Sequence, residues 1–467
     1  MPIDSNHREY DGALEMWQKC KDAFDGQDAV RDASTKYLPR LSGQDDREYR
    51  AYRDRADFPE ATSRTIMGML GQVFRKPPDA EIDKMELWWD DIDLGGKSIT
   101  QFAFDAVLNV LLYGRFGILA DYSVDERRPY LAAYPAFSVI NWREDRITGK
   151  NVVSHVVLHE EIDRPKADDE YETEIVRQIR ILSILTGVYT VELWQKSERD
   201  RDWVQITDSS EVIPSRFGKP LDEIPFICVG PFGTGMSVQK SPMLPLVNMN
   251  YSIYRTSADL ENGLHFCGCP TPWGAGINPD EGPFRIGAPE AWMFANPDAK
   301  VAMLEFTGQG LEPLESAWAR KIETMGALGA YLLAPAKKAA ETAEAKRIDA
   351  ASEGSVLSAV VDNVSRAMTW ALARCNAWAG GNPDVVAYKL NKDFWSARLS
   401  SQELHELVLA WQAGAFDQRT LLYNLREGEI LDPETTDDEV MDRLMLEEPT
   451  FAPVQDQAQD QVSVPDE

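Results

Sequence analysis

The chain has 467 residues, of which 43% are hydrophobic and 10% aromatic, with 77 acidic against 48 basic residues and a formal net charge of −29 at neutral pH. That length accommodates about three domains with real cores and excludes a disordered chain. The charge excludes a protein that coats nucleic acid or an anionic membrane, because such surfaces are held by many Lys and Arg side chains displacing counterions.

The first roughly 115 residues read as helical by their apolar spacing. DGALEMWQKCKDAF begins an amphipathic stretch, and YLPRLSGQDD interrupts it. In DFPEATSRTIMGMLGQVFRKPP, Pro59 lies near a helix start and Pro77-Pro78 form a stop. SITQFAFDAVLNVLLYGRFG is apolar nearly all round and reads as a buried helix.

From residue 116 to 230 the period changes to two. GILADY, VVSHVVLHEEI, IVRQIRILSIL, VYTVELWQ and WVQIT are rich in β-branched and aromatic residues. Separated by turn-like or charged segments such as DRPKADDEYE and KSERDRD, they predict one antiparallel meander, closed by LDEIPFICVGPFGTG.

PLVNMNYSIYRTSADLENGLHF then carries Leu246, Met249, Ile253, Ser257, Leu260 and Leu264 on one helical face. A Gly/Pro-dense module over 267–310 contains two short strand candidates, EAWMFA and KVAMLEF. LEPLESAWARKIETMGALGAYLL is a second amphipathic helix, with Leu311, Leu314, Trp318, Ile322, Met325 and Leu332 on its stripe. APAKKAAETAEAKRIDAASEGS (334–355) follows, with almost nothing to anchor it in a core. The helix after it, SVLSAVVDNVSRAMTWALARCNAWAGG, places Val356, Val360, Val361, Val364, Met368 and Leu372 on one face and stops at Gly380-Gly381. Short helices follow, with capping boxes at Ser400–Glu403 and Thr436–Glu439. The last stretch is acidic, lacks Lys and Arg, and reads as a disordered tail.

Cys20, Cys228, Cys267, Cys269 and Cys375 form no disulfide framework and suit a reducing cytoplasm. The N-terminal MPIDSNHREYDGALEMW has no basic region followed by an apolar run, so no secretory leader is expected. The longest apolar windows are too short to span a bilayer, so a soluble chain without membrane contact is expected.

The chemical motifs are incomplete. Gly96-Lys97-Ser98 resembles the end of a phosphate-binding loop, but Asp91 stands where its first glycine belongs, and Ser98 with Gln101 reads as a helix cap. His265, Cys267 and Cys269 lie two apart, which in extended chain aligns them, but a structural zinc site needs a fourth ligand. His155 and His159 share one face of a strand that reads as exposed, too far apart for simple chelation. No GxSxG elbow is present. Carboxylate pairs and tryptophans leave a carbohydrate-active enzyme as a competing class. No catalytic residue, metal or cofactor is expected.

The order of elements resembles the portal proteins of tailed bacteriophages, whose wing, two-helix stem with a clip between its helices, tunnel loop, long wing helix and crown occur in that sequence. YLPRLSGQDDREYRAYRDRADFPEATSRTIMGMLGQVFRKPP, YGRFGILADY and RPYLAAYPAFSVINWRE are similar to strings of a portal-like phage family. The resemblance implies an α+β, mostly helical portal fold. Its wing would be 1–240, with helices and an antiparallel β meander, its first stem helix 241–266 and a small α/β clip 267–310. The second stem helix would be 311–333, the tunnel loop 334–350, the long wing helix and return 351–389, the crown 390–447 and a disordered acidic tail 448–467. It implies a non-enzymatic dodecameric ring at one capsid vertex, a DNA channel for packaging, head assembly, head–tail joining and ejection. The partners it implies are the terminase large subunit, the major capsid and scaffolding proteins, head-completion adaptors, and double-stranded DNA passing without sequence specificity. The location is the virion, and the host cytoplasm during assembly. Lys337, Lys338, Lys346 and Arg347 would be the tunnel-loop cations that touch DNA. A head or connector component without a channel is the alternative.

Overall fold

The structure, a computed structural model, describes residues 2–84, 88–147, 150–166, 169–185, 187–196, 202–206, 213–268, 271–276, 296–304, 308, 310–331, 355–394, 401–428, 430–431 and 435–446. The chain divides into two units, Met1–Lys392 and Asp393–Glu467.

The first unit opens with α1 (Arg8–Asp25), α2 (Gln27–Asp32), α3 (Asp46–Arg55) and α4 (Ala61–Val73), then β1 (Asp79–Glu81) and α5 (Ile99–Tyr113). On α1 the spacing of Tyr10, Ala13, Trp17 and Cys20 buries one face, and the Trp17 indole N–H donates to the Tyr113 carbonyl at 3.0 Å. A reciprocal capping box at Asp45 and Glu48, not anticipated above, starts α3. α5 begins at Ser98, whose hydroxyl accepts from the Gln101 N–H at 3.2 Å, and ends at Gly114 with φ +74°. A Cβ at Gly114 would meet the Gln239 carbonyl oxygen at 2.6 Å, so this stop requires glycine. Its eight buried residues confirm the all-round apolar reading.

The period-two region forms two sheets where one meander was expected. β4 (Val139–Ile147), β5 (Lys150–Lys166), β6 (Asp169–Leu185), β7 (Val188–Lys196) and β8 (Val204–Gln205) pair in consecutive order. β2 (Phe116–Ser123) and β3 (Arg128–Pro135) instead join β11 (Phe226–Gly230) and β12 (Gly233–Thr234) in the order β12-β11-β2-β3. The physical reason is β2 itself: residues 116–120 are buried in succession, so the strand needs cover on both faces and a partner on each edge. β11 supplies the second edge, with Phe116 opposite Val229. A further hairpin, β9 (Ser215–Arg216) with β10 (Lys219–Pro220), sits between the sheets in the chain. DRPKADDEYE, read as a turn-like or charged separator, contributes strand on both sides: β5 and β6 stay paired out to Lys166 opposite Asp169.

Next come α6 (Leu244–Gly268), β13 (Thr271–Ala275), β14 (Lys300–Leu304), α7 (Leu311–Tyr331), α8 (Val356–Trp378) and β15 (Ala387–Lys389). β14 lies within KVAMLEF as predicted, but its partner is β13, within PTPWGAG; EAWMFA lies outside the described residues. α8 buries Val360, Val361, Val364, Met368, Ala371, Leu372 and Cys375 completely and stops at Gly380, φ +84°. Asn363 on α8 donates to the carbonyls of Gly230 and Pro231, which fixes the helix to the β11 turn.

The second unit contains α9 (Ser401–Gln412), α10 (Gln418–Glu427) and α11 (Asp437–Leu446). The Thr436–Glu439 box forms in both directions, at 3.1 and 3.3 Å. Ser400 of the other predicted box lies outside the described residues, as does the tail from 448. The class is α+β, with eleven α-helices and only antiparallel strand pairs among the described residues.

Candidate functional site

α6 and α7 form an antiparallel helical hairpin. Its first two thirds are held by the helical layer beneath. The Tyr52 hydroxyl donates to Asp259 at 2.6 Å, Tyr251 donates to the Lys19 carbonyl at 3.0 Å, and the Ser257 hydroxyl accepts from the Asp57 N–H at 3.0 Å. Leu246, Val247, Ile253, Tyr254 and Ala258 are buried on this stretch.

α7 is fastened to α6 at two heights. The Lys321 ammonium donates to the Thr256 hydroxyl at 2.6 Å and the Ser252 carbonyl at 3.3 Å. Ten residues earlier, Leu311 lies over Gly263, where a Cβ would come within 2.6 Å of its methyl group. The missing side chain lets the helices approach where the hairpin leaves the packed layer.

Beyond that point the apolar residues lose their cover. Leu264 is 41% exposed, Phe266 53% and Trp318 38%. At the hairpin's end β13 pairs β14 with Trp273 opposite Ala302, while Pro272 and Gly274 face Met303 and Val301. Trp273 projects from one face and Val301 and Met303 from the other; all three are among the exposed large hydrophobics. A two-stranded ribbon is marginal alone in water, so large exposed apolar residues on both its faces make it a candidate interaction surface. Of the stripe predicted for α7, Met325 is buried, whereas Trp318 is not.

The segment expected to touch DNA occupies 334–350, so Lys337, Lys338, Lys346 and Arg347 lie outside the described residues. Its flanks are described: α7 runs to Tyr331, and α8 starts on Ser355, whose hydroxyl accepts from the Ser358 N–H at 3.0 Å.

The remaining motifs have structural occupations. In the phosphate-loop lookalike, the amides that would cradle an anion are taken by aspartates: Gly96 donates to Asp91 at 2.8 Å, and Gly95 and Lys97 to Asp93 at 2.8 and 3.0 Å. The Lys97 ammonium is 2.7 Å from Asp105. His265 and Cys267 lie on α6 and not in extended chain, so the helical turn separates two side chains that the sequence reading aligned; Cys269 lies outside the described residues. No metal-binding group of His, Cys, Asp or Glu occurs among the described residues. His155 and His159 do share β5, but both are half-buried where an exposed face was expected. His155 Nδ1 lies 2.8 Å from the Ser183 hydroxyl, and burial lowers the pKa of both imidazoles.

Between the two sheets a cavity of about 580 Å³ is lined by Tyr130, Tyr134, His159, Glu160 and Arg180 among others. Arg180 bridges Glu160 at 2.7 Å and Asp121 at 3.5 Å, and Tyr134 donates to Glu160 at 2.5 Å. Burial raises the pKa of Asp121 against the pull of Arg180. Burial opposes the Arg180 charge, but Tyr134, Glu160 and Asp121 outweigh it and hold the guanidinium protonated. Both carboxylates thus pair with one arginine, which ties the two sheets together.

A family described as a domain of unknown function (DUF4055) matches residues 242–379, the span from α6 through α8. No curated protein matches the chain. Among solved structures, it is similar to a chain in the neck of an empty gene transfer agent (GTA) particle, with 15% identity and TM-score 0.39, covering 76% of this chain and 86% of that one. A chain of the native GTA virion gives 16% and 0.37, covering 82% and 94%. A chain in the neck of the native particle gives 14% and 0.39, covering 85% and 97%. Similarity at this level leaves function to be argued from residues and geometry.

Proposed function

We propose that this chain is the subunit of a portal ring, a non-enzymatic DNA conduit at one vertex of a phage-type capsid. The observation that carries the reading is the α6–α7 hairpin with its β13–β14 end, which leaves the packed layer with Leu264, Phe266, Trp273, Val301, Met303 and Trp318 in water. In a ring these residues meet neighbouring copies as stem and clip. The same division makes 1–240 and 351–389 wing, 334–350 tunnel loop and 390–447 crown.

The charge supports a conduit. Twelve copies at −29 carry roughly 350 negative charges before counterions, so the wall repels the duplex instead of holding it. Lys337, Lys338, Lys346 and Arg347 then give transient phosphate contacts, too few per copy for tight nonspecific binding. Packaging with a terminase, capsid and scaffold contacts, adaptor binding and ejection belong to this reading, as does a place in the virion after assembly in the host cytoplasm.

Electron microscopy of the purified full chain is the test. Rings with an axial hole wide enough for duplex DNA support it. Closed assemblies without a hole favour a head component lacking a channel, and monomers at every concentration and salt refute both, provided added scaffolding protein does not change them.

A further inference from the structure

β5 and β6 outrun their neighbours. β4 pairs β5 only as far as Leu158, and β7 pairs β6 only from Arg177, so among the described residues the backbones of 162–166 and 169–176 pair only with each other. This arm has two open edges. With Glu161 at its base, its residues comprise six acidic and two basic ones, with Tyr171 89% exposed and Ile175 43% exposed. Edge charges and Pro165 protect it from indiscriminate strand pairing, so a partner must meet it through side chains.

The opposite end of the same sheet has the complementary character. There the Tyr189 N–H donates to the Leu221 carbonyl at 2.8 Å, which fixes the β9–β10 hairpin beside the start of β7. The hairpin exposes Arg216, Lys219 and, at its tip, Phe217, 76% exposed at φ +50°. Phe217 and Gly218, both at positive φ, form the two-residue turn, which holds the Phe217 ring out at the tip, 3.8 Å from where a Cβ on Gly380 would sit. Beside it the Arg374 guanidinium stacks 3.4 Å from the Trp370 ring centroid, and the Trp378 indole donates to the Ser215 carbonyl at 3.4 Å. Arg374 is paired with Glu223 at 3.0 Å, and Arg216 and Lys219 against Asp222 leave the hairpin net positive in a strongly acidic chain. Aromatic and Arg side chains together are the composition of binding hot spots.

We infer that the acidic β5–β6 arm of one copy docks on the Arg216/Phe217/Lys219/Arg374 patch of a neighbouring copy. β6 has 17 residues, so the arm tip and the patch are roughly 50 Å apart along one strand and cannot meet within a subunit. Two complementary surfaces at opposite ends of a rigid sheet make a head-to-tail contact, the kind that closes into rings. The inference rests on copies of this chain associating, and adds a contact independent of the α6–α7 surface.

The test mixes two full-length chains of different tag length, one Tyr171→Cys and one Phe217→Cys, under assembly conditions with a short bis-maleimide. A mixed-tag covalent dimer, absent from either variant alone and from the unsubstituted chain, is expected. In parallel, Arg216→Glu with Lys219→Glu weakens assembly by about tenfold or more at low salt, and Glu161→Lys with Asp163→Lys in the same chain restores it. Assembled particles with no mixed-tag product, or with Tyr171→Cys chains linked only to each other, overturn the arm contact and leave the ring reading standing. Chains that stay monomeric overturn both.

Discussion

Replacing Trp318 by Ala tests whether a neighbouring copy covers α7. Trp318 exposes 38% of its surface on α7. For a side chain of up to ~250 Å² that is roughly 95 Å², and covering it at ~25 cal/mol per Å² contributes about 2 kcal/mol to each intersubunit contact. The substitution therefore weakens each contact ~30-fold. Alanine is the strongest helix former, so the monomer keeps its helix, but the roughly 155 Å² of Trp318 already covered within the chain is lost as well, so its Tm falls and assembly is read at a temperature where the variant stays folded. Sedimentation velocity across a dilution series reads the assembly midpoint, and far-UV circular dichroism reads the fold. A midpoint shifted less than about threefold in the folded variant refutes the reasoning, because it means that no neighbour covers Trp318.

Three further outcomes follow from particular residues. Replacing Lys337, Lys338, Lys346 and Arg347 together by Ala leaves ring assembly intact and lowers DNA packaging or retention; unchanged packaged DNA, or rings that fail to form, contradicts their contact role. Lys321→Ala removes donors to Thr256 and Ser252 and loosens α7 by about 1–3 kcal/mol, read as faster hydrogen exchange over 311–331 with the β-sheet amides unaffected. Asp45 accepts the N–H groups of Glu48 and Arg47, which lowers its pKa below 3.8, so its contribution to stability is present above the unfolded value and is lost as pH falls through the folded one. Asp45→Ala accordingly lowers Tm at neutral pH, and the difference from the unsubstituted chain vanishes in strong acid; a constant difference in thermal scans across that window removes the charge from the explanation.

What the sequence determined by itself is the local structure whose cover lies within the same chain. α5 and α8 were legible because their apolar residues recur on a helical period between a serine cap and a glycine stop, and both are buried as that pattern demands. KVAMLEF was legible as strand because alternation is a property of a few adjacent residues. Pairing was not, since an edge is chosen among distant segments: only tertiary structure brought β11 to β2, split one predicted meander into two sheets, and gave β14 the PTPWGAG strand. The acidic DRPKADDEYE looked like a separator because polar residues on both faces of a ribbon leave no alternation to detect. The helical course of α6 past His265 likewise undid an alignment with Cys267 that only an extended chain provides. For the candidate site, the stripe on α7 was visible in the sequence, but whether a stripe is core or contact surface depends on what lies opposite it. Folding decided that by covering Met325 and leaving Trp318 in water.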